Sequence, residues 1–240
     1  MTDDSGVSED RVAVGGRAED RPAGSDQADQ RRAQILRAAL EVIAERGFAD
    51  TRIADVAERV DVSSALVVYY FKTKDRLLAE AIRYAEDLWY EEGTKRLAAQ
   101  PTALARLEEL VRLTCLPQSD PDMAAEAWTL WLDLWAQAIR QPAVGAVREE
   151  FDERWRQTIR QVVRDGQDDG EFAALDADDF AVSLSALLDG FAVQIALGDP
   201  VVGPQRAFEL SMRLAAAHLG FTWTPTARKR PGKRPPRARR

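Results

Sequence analysis

The sequence predicts an all-α fold of about nine helices, arranged as an N-terminal three-helix domain followed by a larger C-terminal helical domain. Apolar residues recur at three- and four-residue steps through most of the 240 residues. Alternation of apolar and polar residues with a period of two is nowhere sustained, so no sheet is predicted. Proline and glycine residues stand where one helical pattern stops and the next begins.

Three helices are predicted in the first third of the chain, and each has its own start signal. Asp29 is the expected N-cap of the first helix, and Gly47 is expected to end it. Thr51 precedes a second apolar stripe, and the pair Ser63-Ser64 precedes a third. The predicted ranges are residues 30–46, 53–60 and 65–71, followed by a fourth helix that starts at 74 behind the cap Thr73 and runs into the 90s.

Five further helices are predicted in the rest of the chain because breakers divide it into segments that each show helical periodicity. Their predicted ranges are 102–116, 122–140, 143–168, 177–197 and 204–219. We expect four regions: a disordered acidic arm over 1–28, the first helical domain over 29–74, the second over 75–222, and a disordered basic tail over 223–240.

Composition excludes several classes of protein. Cys115 is the only cysteine, so an internal disulfide is impossible, and no spacing of Cys and His residues predicts a metal site. We therefore expect neither a metal nor a cofactor. No run of 18 apolar residues and no export signal is visible in the sequence, which predicts a cytoplasmic protein without a membrane partner.

The net charge of -7 is unevenly distributed along the chain. Residues 29–74 carry eight basic and seven acidic side chains, whereas residues 224–240 carry eight basic side chains and no acidic one. Contacts with nucleic-acid phosphates need local positive charge, so the acidity of the whole chain does not exclude them. The basic tail either adds nonspecific affinity for DNA or is an inert solvated end.

The first domain has the proportions of a helix-turn-helix. Its second and third helices are too short to be stable alone, and they need a clamping helix to hold them. In that motif the last helix enters the major groove of DNA with its N-terminal residues toward base edges. Small and hydroxyl side chains there permit close approach and hydrogen bonds. The residues expected at this reading end are Ser63, Ser64, Ala65 and Leu66, with Tyr69, Tyr70 and Lys74 placed for phosphate contacts.

Several short motifs follow one another over residues 31–82. They are the alanine-rich first helix ending in Gly47-Phe48, the segment IADVAERV, the Val62-Ser63 turn and the aromatic run Tyr69-Tyr70-Phe71 before Lys74. Together they resemble the N-terminal domain of the TetR/AcrR family of transcriptional regulators. The resemblance implies that Thr51 and Arg52 contact backbone phosphates, that residues 63–66 and Tyr69 face the groove, and that Tyr70 and Lys74 hold phosphates. The alternative is an ordinary three-helix core with no DNA partner.

Two positions depart from the pattern of the resembled family. Asp61 stands in the turn where glycine is usual, at a position that favours a left-handed backbone. Val68 stands where the first of two aromatic residues is common, which removes one expected contact with DNA.

The C-terminal domain carries an aromatic stripe that predicts a ligand cavity. Trp128, Trp131 and Trp135 share one helical face, with Leu132 beside them. Ligand pockets in helical domains are lined mostly by apolar and aromatic groups, and an aromatic box near a carboxylate favours a cation. Packed core is the alternative for such a stripe. The further candidate lining residues are Trp89, Phe151, Trp155 and Phe191, with Asp133, Asp189 and Gln194 as the polar share.

Two later stretches, 126–142 and 187–200, resemble the C-terminal domain of the BetI-like branch of the family. That branch covers many different ligands, so no effector is assigned from it. The last two long helices are apolar on more than one face and need a second burial partner. In the resembled family these two helices pair with their copies, so the resemblance implies a homodimer interface through residues such as Ala181, Leu184, Leu187, Leu188, Leu210, Leu214 and Ala217. The alternative is a monomer that buries both faces internally.

The predicted function is that of a ligand-responsive, sequence-specific regulator, most simply a repressor that an unidentified small molecule releases from a palindromic operator in double-stranded DNA. No catalytic residues are predicted, because the sequence shows no phosphate loop, nucleophile motif or acid and base pair. The alternative is a helical small-molecule-binding or interaction protein that does not bind an operator. His218 and Cys115 are expected to be structural.

Overall fold

The computed structural model describes residues 23–116 and 121–225, and within these ranges the chain forms nine α-helices and no strand. The expected disordered arm and tail fall almost entirely outside these ranges. The helices are α1 (Ala23–Asp50), α2 (Ile53–Arg59), α3 (Ser64–Phe71), α4 (Lys74–Ala98), α5 (Ala103–Cys115), α6 (Pro121–Ala138), α7 (Pro142–Asp168), α8 (Ala177–Ala196) and α9 (Pro204–Leu219).

The first helix begins earlier than predicted, but its regular helical conformation ends at Gly47 as predicted. It begins at Ala23, so Asp29 is an interior residue and not the N-cap that we expected. No proline interrupts residues 23–29, and acidic side chains in the first turns of a helix favour its N-terminus. The helical path is broken at Gly47, which has φ 79° and ψ 166°. Glycine adopts this conformation without the steric cost that a Cβ brings.

The turn between α2 and α3 follows the sequence-based expectation. Asp61 has φ 51°, which is the left-handed conformation predicted at this position. The Ser63 side chain caps α3 by accepting a hydrogen bond of 3.2 Å from the Leu66 backbone N–H. Val67 and Phe71 anchor the inner face of α3 and are completely buried. A short helix with one anchored face necessarily presents its other face outward.

Two hydrophobic clusters organise the molecule. The first holds α1–α3, which we call the N-terminal unit, and continues without a break into α6 and α7 through Leu134, Val144, Val147 and Phe151. The second joins α5, α7, α8 and α9 around residues such as Leu107, Ile159, Leu184 and Met212. The N-terminal unit is therefore packed directly onto the helices of the C-terminal domain.

Helix α8 is apolar, but only one of its faces is packed against other helices. By length and composition alone it is the one described helix that could cross a membrane. It packs against α5, α6, α7 and α9 through buried residues including Phe180, Leu184 and Leu188, as a core helix does. Its opposite side stays open, because Val182 is 55% exposed and Leu197, just after its end, is 73% exposed.

Candidate DNA-binding surface and ligand cavity

The outer face of α3 is the candidate DNA-binding surface. Ser63, Ser64 and Ala65 are exposed at the N-terminal end of this helix, and Leu66 is half-buried behind them. Tyr69 is 68% exposed. Its ring packs edge-on against the half-buried Tyr70, with ring centroids 5.4 Å apart. The structure thus brings the predicted reading residues onto one outward surface.

Thr51 does not lie on this surface, and its predicted phosphate contact is corrected. The residue is completely buried, and its hydroxyl donates a 2.7 Å hydrogen bond to the Gly47 carbonyl. Its hydroxyl stabilises the backbone at the break in α1, so Thr51 has a structural role within the N-terminal unit. The neighbouring Arg52 is exposed and stands just before α2.

Lys74 has a structural contact that the sequence did not indicate. It is the first residue of α4, and its Nζ donates a 2.7 Å hydrogen bond to the Ala49 carbonyl. An ammonium group carries three donors, so this bond leaves two for other acceptors. Lys74 therefore ties α4 to the end of α1 and remains a candidate phosphate ligand.

The sequence analysis missed Lys72, which lies next to the reading surface. Its φ of 66° ends α3 in a left-handed conformation that is uncommon for a residue with a side chain. The ammonium group sits 5.2 Å from the centre of the Tyr69 ring and donates a 2.9 Å hydrogen bond to the Tyr69 carbonyl. Its exposed charge adds to the positive potential beside α3.

The C-terminal domain contains a cavity of about 540 Å³, bounded by α4, α5, α6, α7 and α8. This volume falls in the range of sites for drug-sized molecules, which is roughly 300–1,000 Å³. Five of the six tryptophans of the chain line it, so the aromatic stripe lines a cavity and does not form solid core. The predicted residues that line it are Trp89, Trp128, Trp131, Trp135, Trp155 and Asp189, together with Phe151.

Four of the residues predicted to line the cavity lie elsewhere. Leu132 is rotated away from the cavity on α6, where Leu134 takes its place. Phe191 packs against the second hydrophobic cluster. Gln194 is exposed, and Asp133 points toward the N-terminal unit, where its Oδ2 accepts a 2.6 Å hydrogen bond from the Phe48 backbone N–H.

Glu86, Asp152 and Asp189 form an acidic wall of the cavity, and sequence reasoning found only Asp189; Glu92 and Arg96 also line the cavity. Glu86 and Asp152 join Asp189 among the lining residues. Glu86 is only 7% exposed although it is a charged residue type. Its position one turn before Trp89 was the available signal, but a glutamate in a long helix is ordinarily solvated.

Burial raises the pKa of the carboxyl groups of Glu86, Asp152 and Asp189. The pKa of Glu86 rises to about 7, because desolvation outweighs the attraction of Arg154. The pKa of Asp189 rises to about 6, again through desolvation, with repulsion from Asp152 adding to the effect. The pKa of Asp152 is also raised by burial, against the pull of Arg148. A cation in the cavity would offset the cost of ionising these groups.

Aromatic rings form much of the remaining wall of the cavity. Trp89 and Trp155 meet at a centroid distance of 5.7 Å and an interplanar angle of 60°. Trp131 and Phe151 meet at 6.1 Å and 79°. Ring faces attract organic cations, and adjacent carboxylates strengthen that attraction. The cavity thus combines both elements of a site for a positively charged organic molecule.

A helix-turn-helix with an outward reading surface, joined to a helical domain with an internal cavity, defines the class of one-component DNA-binding regulators. Comparison with known proteins is consistent with this class. The family model described as "Bacterial regulatory proteins, tetR family" matches residues 35–81. The model described as "BetI-type transcriptional repressor, C-terminal" matches residues 103–220. The chain belongs to the TetR family and has a BetI-type C-terminal domain.

Individual relatives agree with this assignment. The HTH-type transcriptional regulator BetI of Burkholderia mallei (strain NCTC 10229) is 30% identical over 186 residues, covering 75% of this chain and 89% of the relative. The crystal structure of a putative transcriptional regulator from Saccharomonospora viridis in complex with choline is 30% identical, with a TM-score of 0.70 over 79% of this chain and 97% of that one.

A more distant neighbour shows how far the fold extends. FadR of Bacillus subtilis, solved in complex with stearoyl-CoA, has a TM-score of 0.62 at 20% identity, over 75% of this chain and 95% of that one. Regulators of this family bind operator DNA and small-molecule effectors and form dimers. The chain is accordingly a ligand-responsive DNA-binding transcriptional regulator and not an enzyme.

Proposed function

We propose that this protein is a cytoplasmic homodimeric repressor whose two α3 helices occupy successive major grooves of a palindromic operator. The observation that carries the proposal is the outward face of α3, where Ser63, Ser64, Ala65 and Tyr69 are exposed while Val67 and Phe71 anchor the helix from within. The exposed side chains Arg52, just before α2, and Lys72, just after α3, are proposed to bind backbone phosphates. The DNA-binding unit is taken as residues 29–74.

The dimer is proposed to form through α8 and α9. Along α8 an open stripe runs through Val182, Ala186 and Gly190 at four-residue steps and ends at Leu197. Leu214 extends the apolar surface onto α9, where it is 38% exposed. Ala181, Leu184 and Leu188 are buried within the chain itself, so they are not part of the interface. A two-fold axis at this surface would place both α3 helices against one DNA duplex.

The effector is proposed to be an organic cation bound in the cavity between α4 and α8. Four carboxyl groups and five tryptophans line this space, and Glu86 forms no ion pair within the described part of the chain. Arg96, which also lines it, is paired with Glu109. The relative from Saccharomonospora viridis, solved with choline, is consistent with this chemistry. Cation binding and DNA binding then favour different arrangements of the same dimer, so each weakens the other.

The experiment that tests this function works without an identified operator. Immobilised protein selects duplexes from a random library, and the enriched sequence is titrated by fluorescence anisotropy against a scrambled duplex of the same length. We expect an inverted repeat and a specificity of at least ~10³-fold. Equal affinity for both duplexes would favour the alternative, a ligand-binding helical protein without an operator.

A further inference from the structure

Three consecutive residues at the end of α1 are held by hydrogen bonds to the α1–α2 loop, to α6 and to α4. The Gly47 carbonyl accepts hydrogen bonds from both the backbone N–H and the hydroxyl of Thr51, at 3.2 Å and 2.7 Å. The Phe48 N–H donates to Asp133 on α6, and the Ala49 carbonyl accepts from Lys74 on α4. This short segment is therefore the joint at which the N-terminal unit meets the C-terminal domain.

Asp133 lies within the stretch of α6 that lines the cavity, whereas Lys74 stands eight residues before Ile82, the first lining residue of α4. Trp131 and Trp135 flank it two residues away in each direction, and both point into the cavity. At 100° per residue, a side chain two positions away lies roughly opposite on an α-helix. A small rotation or shift of α6 that accommodates a ligand on the tryptophan face therefore displaces the Asp133 carboxylate on the opposite face.

The joint has little freedom to absorb such a displacement. A Cβ at Gly47 would stand 3.3 Å from Oδ2 of Asp133, so the backbone lies directly against the carboxylate. Phe48 is 3% exposed within the first hydrophobic cluster, beside Leu134 of α6. The hydrogen bond is 2.6 Å long and joins a carboxylate to a backbone amide, a class of bond that is stronger than a neutral one.

We infer that Asp133 is the positioning residue that transmits occupancy of the cavity to the DNA-binding surface, through its bond to the Phe48 amide. The bond is intact in the DNA-binding arrangement, and a ligand that moves α6 weakens it and frees the end of α1. This inference rests on the proposed function. It adds the residue through which the two sites are coupled.

The test uses the tryptophans of the cavity as an intrinsic probe, so it does not depend on an identified effector. Binding of the selected duplex to the wild-type chain should change tryptophan fluorescence, because the coupling acts equally in both directions. In Asp133→Ala, DNA measured by anisotropy should bind about as weakly as it does to the wild-type chain saturated with a cationic probe, while the fluorescence change is lost. Asp176→Ala is the matched control, since Asp176 also accepts backbone N–H bonds, but at the start of α8.

A second arm uses choline and tetraethylammonium as cationic probes. A bound probe should weaken DNA binding of the wild-type dimer by about 5- to 150-fold, the usual range of allosteric coupling, and that of Asp133→Ala by less than about twofold. The inference would be overturned if Asp133→Ala kept the wild-type fluorescence change on DNA binding, or if the probe weakened its DNA binding as much as that of wild type. DNA binding of a folded Asp133→Ala at the full wild-type affinity would also overturn it, because loss of the bond would then not reproduce the effect of a ligand.

If Asp133→Ala does not fold, hydrogen exchange at the Phe48 amide of the wild-type chain decides the question. Operator DNA should slow this exchange by about tenfold or more beyond that of other α1 amides. An unchanged rate would overturn the inference. Failure of the wild-type chain to select any duplex is a separate result, which would refute the proposed function and not the role of Asp133 alone.

Discussion

Tyr69 is the residue with the clearest expected effect on DNA binding. Its side chain is 68% exposed, so Tyr69→Ala removes a groove contact without opening the core. The expected loss is about 1–3 kcal/mol for each contact, and the dimer carries two copies. We expect operator affinity in an anisotropy titration to fall at least tenfold, with the melting temperature unchanged.

Leu88→Ala is the control for Tyr69, because Leu88 is an exposed apolar residue on α4, 46% exposed, outside the reading surface. If Tyr69→Ala and Leu88→Ala bind the operator equally well, the proposed docking of α3 is wrong. Lys74→Ala is a less clean substitution, since it also removes the hydrogen bond to Ala49.

Glu86 gives the cavity a predicted pH dependence. The carboxyl group is largely protonated below its raised pKa of about 7, and a cation prefers the ionised form. Affinity for a cationic probe such as tetraethylammonium should therefore increase as the pH rises from 5.5 to about 8. Glu86→Gln should flatten the upper part of this profile, and calorimetry near pH 7 in buffers of different ionisation enthalpy should show less proton release than with wild type.

The charged groups around Glu86 and Asp189 shift their pKa values, and therefore determine the pH range over which the affinity for a cation rises. Arg154 lowers the pKa of Glu86, whereas Asp87 and Asp152 raise it. Burial raises the pKa of Asp189 to about 6; repulsion from Asp152 adds to this rise, whereas Arg148 and Arg156 oppose it. Asp189→Asn should therefore flatten the lower part of the profile. An affinity that falls with rising pH would exclude a cationic occupant.

At the scale of single helices, α8 carries the prediction about assembly. Val182 is 55% exposed on the open stripe, so Val182→Glu places a charge in the proposed interface without disturbing the intramolecular core. Unpaired buried charge is costly, and the variant should sediment as a monomer with unchanged helicity. Leu88→Glu, on α4, serves as the control and should remain a dimer. A dimeric Val182→Glu would locate the interface elsewhere.

The helices differ in how far their sequence determines them. Ser63 and Thr73 cap their helices as expected, because capping depends on a side chain and a backbone N–H three residues later. The early start of α1 was missed, because the capping signal at Asp29 is equally compatible with an interior position. The acidic wall of the cavity could not be predicted, since the burial of Glu86 depends on how α4 packs against α5 and α7.

For the whole molecule, the expected behaviour is a reciprocal coupling between cavity and operator. If a cation weakens DNA binding by a given factor, saturating DNA must weaken cation binding by the same factor. Calorimetric titration of tetraethylammonium into the free dimer and into the dimer with operator measures both. Equal affinities in the two titrations would show a ligand site without regulatory effect.

The packing of the N-terminal unit explains why such coupling needs few residues. One hydrophobic cluster runs from α1 into α6 and α7, so the two domains share a core and do not merely touch. The sequence indicated both domains through their local motifs. It did not indicate the shared core or the contact of Asp133 with Phe48, which join residues 85 positions apart.

Helix α8 has one further consequence, which follows from its two faces. Ser185 and Asp189 border the cavity, while Val182, Ala186 and Gly190 form the open stripe one face away. In a two-fold dimer built on that stripe, the two effector sites are separated by little more than a pair of adjacent helices. Saturation by effector should then be positively cooperative, with a Hill coefficient above one, so that the regulated gene responds to a narrower range of effector concentrations than independent sites would give.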